Sequence, residues 1–137
     1  MKRFEVYEIA LQMIHALRPA VERIRQHDRD LAAQLKRAGS SVPGNIAEGA
    51  RRVGQDRLHH YRIAAGSAGE IRSHLAVALA WGDVDQATVT PALALLDSIL
   101  AILWRLTHPS HRLGPAQQGL APPPPPPPLS PHPSLPP

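Results

Sequence analysis

Apolar residues recur every three to four positions through four successive segments, and each run predicts an amphipathic helix. In the first, about Phe4 to Gln26, Val6, Ile9, Ala10, Met13, Leu17, Val21 and Ile24 share one face. Pro19 falls inside this run without shifting its phase, so a kink or short break is expected there. The second runs from about Arg29 to Arg52, with Asp28 as its expected N-cap and Leu31, Leu35, Ala38, Val42 and Ile46 as its stripe. Gly39, Pro43 and Gly44 lie within that period, although each normally weakens a helix. A pattern that survives its own breakers predicts a bent helix, in which Gly39 eases the fit of the Pro43 ring.

The third helix is expected from about Arg57 to Trp81, with Asp56 as N-cap and Gly82 as C-cap. Its stripe reads Leu58, Tyr61, Ala65, Ala68, Leu75 and Leu79. The fourth is expected from about Gln86 to Thr107, with Pro91 tolerated near its start and Leu93, Leu96, Leu100 and Leu103 as its stripe. No stretch alternates apolar and polar residues for long enough to form a strand. Connections of two to five residues make neighbouring helices antiparallel. The fold class is therefore all-α, an antiparallel up-down four-helix bundle over residues 1–108. Residues 109–137 form a disordered proline-rich tail, with one charge at Arg112 and the run Pro122 to Pro128. Such a run adopts an extended polyproline helix and cannot join a helical core.

Two helices carry more apolar surface than one bundle core uses. On the fourth, Leu95, Ile99, Ile102 and Leu106 widen the stripe; on the third, Ile63, Val77 and Trp81 lie roughly opposite it. Extra apolar faces on a small bundle imply a homo-oligomer. Gly66, Gly69 and Ser73 form a side strip of small residues on the third helix, expected to be crowded by a neighbouring helix.

Composition excludes several classes of function. The 137 residues include no cysteine, which removes disulfides, thiolate metal sites and a Cys nucleophile. The opening MKRFEVYEIAL has no signal-peptide pattern. The apolar run Val89 to Leu103 contains Asp97 and is too short for a membrane span, so a cytoplasmic protein with no membrane partner is expected. No Glu-x-x-His occurs, and Glu70 with His74 supplies only two potential ligands, so no metal or cofactor is expected. No nucleophile-elbow pattern accompanies the serines. Asn45 and Glu48 read as members of a polar network, with Glu48 one turn from Arg52. The chain is therefore not expected to be an enzyme.

Charge is the remaining signal. The formal net charge is +4, and 13 of the 15 basic residues are arginine. Arg51, Arg52, Arg57 and Arg62, with His59 and His60, cluster around the connection between the second and third helices, opposed by Asp56 alone. Lys36 and Arg37 add to the second helix. Such a group suits phosphate backbones, contacted without regard to base sequence. The six basic residues are the expected nucleic-acid-binding set. Only Tyr61 interleaves with them, and it is assigned to the core, so base stacking on single strands is not favoured.

The order FEVYEIAL, then DLAAQLKRAGSSVPGNIAEGARR, then RIAAGSAGEIRSHLAVALAWG resembles the bacterial four-helix bundle protein family. That family includes proteins encoded in intervening sequences of 23S ribosomal RNA genes and the accessory variability determinant proteins of diversity-generating retroelements. The motif residues are Asn45, Glu48 and Gly49, then Gly66, Ser67 and Glu70. The resemblance implies a basic, barrel-like homopentamer without enzymatic activity, whose partners are RNA or DNA and, in the retroelement case, a reverse transcriptase. It also implies that phosphate contacts come from basic side chains, not from the Asn-Ile-Ala-Glu-Gly motif. The proline tail is not part of the family pattern. Two functions follow: a nucleic-acid-binding accessory scaffold, or an oligomeric module that binds protein alone.

Overall fold

Four helices carry the chain: α1 (Arg3–Arg25), α2 (Arg29–Ala50), α3 (Gly54–Trp81) and α4 (Gln86–Thr107). They belong to a computed structural model that describes residues 3–109 and Pro125; the rest of the expected tail lies outside the described residues. No strand occurs among the described residues. Each helix packs on two neighbours, α1 on α2 and α4, and α3 on α2 and α4. Cross-links between helices give the directions. Arg23 near the end of α1 meets Asp85 at the start of α4 at 3.7 Å. Arg72 of α3 pairs with Asp97 of α4 at 2.6 Å. Ser67 of α3 bonds Ser41 of α2, and His60 bonds Asn45 one to two turns nearer their connection. All-α, antiparallel and up-down, the bundle is the one its apolar periods predict.

The core is one cluster fed by all four helices, with Met13, Leu35, Ile46, Tyr61, Ile71, Leu75, Leu96 and Ile99 among its fully buried side chains. The α2 stripe is buried as expected at Leu31, Leu35, Ala38, Val42 and Ile46. Both α1 and α2 continue through their internal prolines. Pro19 sits on the exposed side of α1, where a lost backbone bond can be replaced by water. Pro43 is buried, and Gly39 one turn earlier brings α2 against α1, so that a Cβ there would lie 3.4 Å from Leu17 Cδ2.

Several expectations change. On α3 the buried line runs Tyr61, Ala64, Ala68, Ile71, Leu75 and Ala78; Leu58, Ala65 and Leu79 are only partly covered. The core arc of α3 is centred one residue away from the predicted stripe. On α4, Ile99 and Ile102 are core residues, and Leu95 and Leu106 pack against that core. The wide apolar arc of α4 is therefore largely used inside the protomer, because α1 and α3 flank it on two sides. The helix starts also move. Asp56 is not the cap of α3, which begins at Gly54, three residues before the expected Arg57, with Val53 in the N-cap position. Gly54 has φ +62°, so only a residue without a Cβ starts the helix there without strain. Asp56 instead lies in the first turn, where a carboxylate faces free N–H groups. Gly82 is the expected left-handed C-cap, at φ +78°.

α4 also corrects a length estimate. Over Gln86–Thr107 it is long and apolar enough to cross a membrane by length and composition alone. In this fold it is a core helix, packed on α1 and α3 and ion-paired through Asp97.

Asp85 caps α4, accepting from both the Thr88 hydroxyl and the Thr88 N–H, the latter at 2.9 Å. Those two hydrogen bonds, in that order, hold its carboxyl below the ordinary aspartate range, with the more distant Arg23 adding a smaller push. Its contribution is thus complete above the ordinary aspartate pKa and is lost as pH falls through the lower folded value. Asp85→Ala should lower stability at neutral pH and reduce the steepness of acid unfolding, read by urea melts at stepped pH.

Candidate nucleic-acid interface

The turn between α2 and α3 is built around a glycine. A Cβ on Gly49 would fall 2.6 Å from Cε1 and 2.7 Å from Cδ1 of Tyr61, and 3.3 Å from the Arg57 carbonyl. Tyr61 is fully buried, so α3 lies directly on the α2 backbone at this point. Arg57 clamps the approach by donating from Nε to the Gly49 carbonyl at 3.2 Å.

Outside this contact the arginines gather. Glu48 accepts from Arg51 and, at 2.8 Å, from Arg52 Nη2; Arg52 Nη1 also reaches Asp56 at 2.8 Å. Two carboxylates therefore serve Arg51 and Arg52: Asp56, and Glu48, which the sequence placed one turn from Arg52. The addition is Arg51, which the helical turn also places beside Glu48. Its carboxyl is held below the usual carboxylate range, first by the hydrogen bond from Arg52 and then by that from Arg51. The pairing leaves the arginines accessible: side-chain exposure is 73% for Arg51 and 45% for Arg52. A guanidinium has five N–H donors, so each keeps donors for a phosphate. Arg62 and Arg37 are exposed and make no ion pair among the described residues.

Lys36 does not join this group. It lines a groove of about 520 Å³ between α1 and α2, together with Arg18, Arg25 and Arg29. These three arginines were not among the basic residues expected from local clustering. Their signal lies in the spacing: Arg18 and Arg25 on α1, and Arg29 and Lys36 on α2, are each seven residues apart and so share a helix face.

The remaining motif residues separate by role. Asn45 Nδ2 donates to the Ser41 carbonyl at 2.9 Å and to its hydroxyl at 3.0 Å, and Ser67 Oγ donates to the same hydroxyl at 2.8 Å. His60 Nδ1 faces the Asn45 amide oxygen at 3.1 Å and, opposite an acceptor, must carry the proton. This is the polar network expected of Asn45, and it joins α2 to α3. Glu48 lies outside it, on the arginines. Gly66 is exposed, and a Cβ there or on Gly69 would meet nothing within 4 Å. The strip is thus not crowded within the protomer. Glu70 is exposed and shares no ion pair among the described residues. Among the described residues no three His, Asp or Glu side chains gather as a metal site.

Fold and surface together define a basic four-helix bundle with arginines at the α2–α3 turn and a second basic group along the α1–α2 groove. The chain belongs to the 23S rRNA-intervening sequence protein family, whose pattern it matches over residues 2–105. Comparison with curated proteins and with solved structures found no significant match.

Proposed function

We propose that this chain is a non-enzymatic, homo-oligomeric, cytoplasmic accessory protein that binds RNA or DNA by its phosphates. Arg51, Arg52, Arg57 and Arg62 make the contacts, with Arg37 in support. The observation that carries this reading is the pair of exposed arginines Arg51 and Arg52 at the α2–α3 turn, beside the half-buried Arg57, on a chain of net charge +4. Membership of a family named for ribosomal RNA intervening sequences agrees with it. Binding is independent of base sequence, because the cluster offers charge and no exposed Phe, Tyr or Trp to stack on a base. The test is a titration of fluorescein-labelled mixed-sequence RNA and duplex DNA at about 50 to 200 mM salt. Log affinity should fall linearly with log salt for both. Absence of binding at the lowest salt would sink the proposal.

Oligomerisation is supported by the outer face of α3. Val77 and Ile63 are each 37% exposed and Trp81 77%, beside the open glycines Gly66 and Gly69. A helix interior holds glycines such as the exposed Gly66 and half-buried Gly69 at a cost of about 1 kcal/mol each unless close approach needs them. By resemblance the assembly is a homopentamer, and a reverse transcriptase is a further partner. Gly66→Leu distinguishes the two surroundings. In an isolated protomer the leucine meets open space and should preserve or raise the melting temperature. Against another copy it should split the assembly, seen as a lower mass by light scattering. An unchanged mass would show that this strip faces water. The second reading, a scaffold that binds only protein, rests on the same α3 face and predicts assembly without salt-dependent nucleic-acid binding.

A further inference from the structure

The groove between α1 and α2 is not used by the reading above. Its floor is apolar, formed by Leu17 and Val21 of α1 and by the small side chain of Ala33 of α2. Its rim is basic. Arg18, Arg29 and Lys36 project there without an ion-pair partner among the described residues, while Arg25 is paired with Glu22 at 2.7 Å. From Ile14 to Arg25 the α1 wall is about 16 Å long at 1.5 Å per residue, or about three helical turns.

We infer that this groove seats an acidic amphipathic helix of a partner protein. Apolar side chains of that helix would cover Ile14, Val21 and Ala33, and its Asp or Glu side chains would meet Arg18, Arg29 and Lys36. Charge complementarity selects this occupant. A nucleic acid would use the rim but leave the apolar floor bare, and the floor offers no aromatic ring for a base. The chain's own segment after Pro109 contains no Asp or Glu and repeats seven prolines, so it complements neither the rim nor a helical seat. Small residues on α2 leave room for the incoming helix, as helix-in-groove recognition requires.

The test uses a fluorescein-labelled helical peptide of about 18 residues, with leucines along one face and glutamates beside them. A matched peptide carrying lysine for each glutamate is the control. Anisotropy titrations of the full chain should show binding of the glutamate peptide, and binding of the lysine peptide about tenfold weaker or less. Ala33→Glu and the pair Arg18→Gln with Arg29→Gln, which keep a positive net charge, are exposed substitutions, checked for folding by circular dichroism. Each should weaken the glutamate peptide about tenfold or more and leave RNA affinity unchanged. Three results would overturn the inference: no binding of the glutamate peptide, equal binding after the substitutions, or loss of RNA binding in the groove variants. A changed oligomer mass in those variants would also overturn it, by making the groove a contact between copies. Because the RNA measurement reads the arginines of the other site, failure here leaves the nucleic-acid proposal standing.

Discussion

Gly49→Ala is expected to lower the melting temperature by roughly 5 to 20 °C, a direction opposite to that of most glycine-to-alanine changes within a helix. Alanine ordinarily gains about 1 kcal/mol over glycine there. At this position the added methyl would lie 2.6 Å from the Tyr61 ring and 3.3 Å from the Arg57 carbonyl. The ring is buried and cannot swing into solvent, and the carbonyl belongs to the first turns of α3. Relief therefore requires the helices to part, and overpacking of this kind costs about 1 to 3 kcal/mol. Each kcal/mol shifts the melting temperature of a domain this size by about 4 to 8 °C. Gly44, five residues earlier, is the internal control. It is exposed, and a methyl placed there would meet nothing within 4 Å, so Gly44→Ala should raise stability by about 1 kcal/mol. A Tyr61→Leu background should shrink the Gly49→Ala penalty, because the two side chains compete for one space. Equal, favourable effects at Gly44 and Gly49 would refute the contact.

Replacing Arg51, Arg52 and Arg57 together by Gln is expected to flatten the salt dependence of nucleic-acid binding by about 2 to 3 in log-log slope. The loss should be uniform across sequences, since phosphates carry no base information. Helicity and assembly should hold, because Arg51 and Arg52 are exposed with surface ion pairs of small worth, while loss of the single Arg57 hydrogen bond to Gly49 should cost about 1 kcal/mol, checked by the melting temperature. Glu48→Gln provides the opposite change. It removes the carboxylate that Arg51 and Arg52 share, so affinity should rise and the slope should steepen. The low pKa of Glu48 keeps it charged through mildly acidic pH, so lowering the pH toward 5 should not reproduce the substitution. A triple variant that binds as well as the parent would place the contacts elsewhere.

Helix number, order and approximate limits were legible because burying one face of a helix imposes a period on its residues. The α2 stripe is buried residue for residue, and α4 spans the expected limits. Errors arose where tertiary neighbours decide the outcome. The start of α3 depends on a positive φ at Gly54, a backbone state that the apolar period does not encode. The buried arc of α4 depends on helices to either side of it. Glu48 was read as one partner of Arg52 and serves two arginines, since its position relative to Arg51 follows from the geometry of the helix end.

By itself, the sequence determined an all-α bundle with an arginine-rich turn and an outward apolar face on α3, since these follow from helical period, short connections and local charge. The tertiary structure alone decided why Gly49 is glycine, because the ring it must admit lies twelve residues away on another helix. It alone separated Lys36 from the turn arginines, by facing it toward α1, and joined it to Arg18 and Arg29. Charges distant in the chain become neighbours only when two helices pack, and the choice of facing sides is made by the core beneath them.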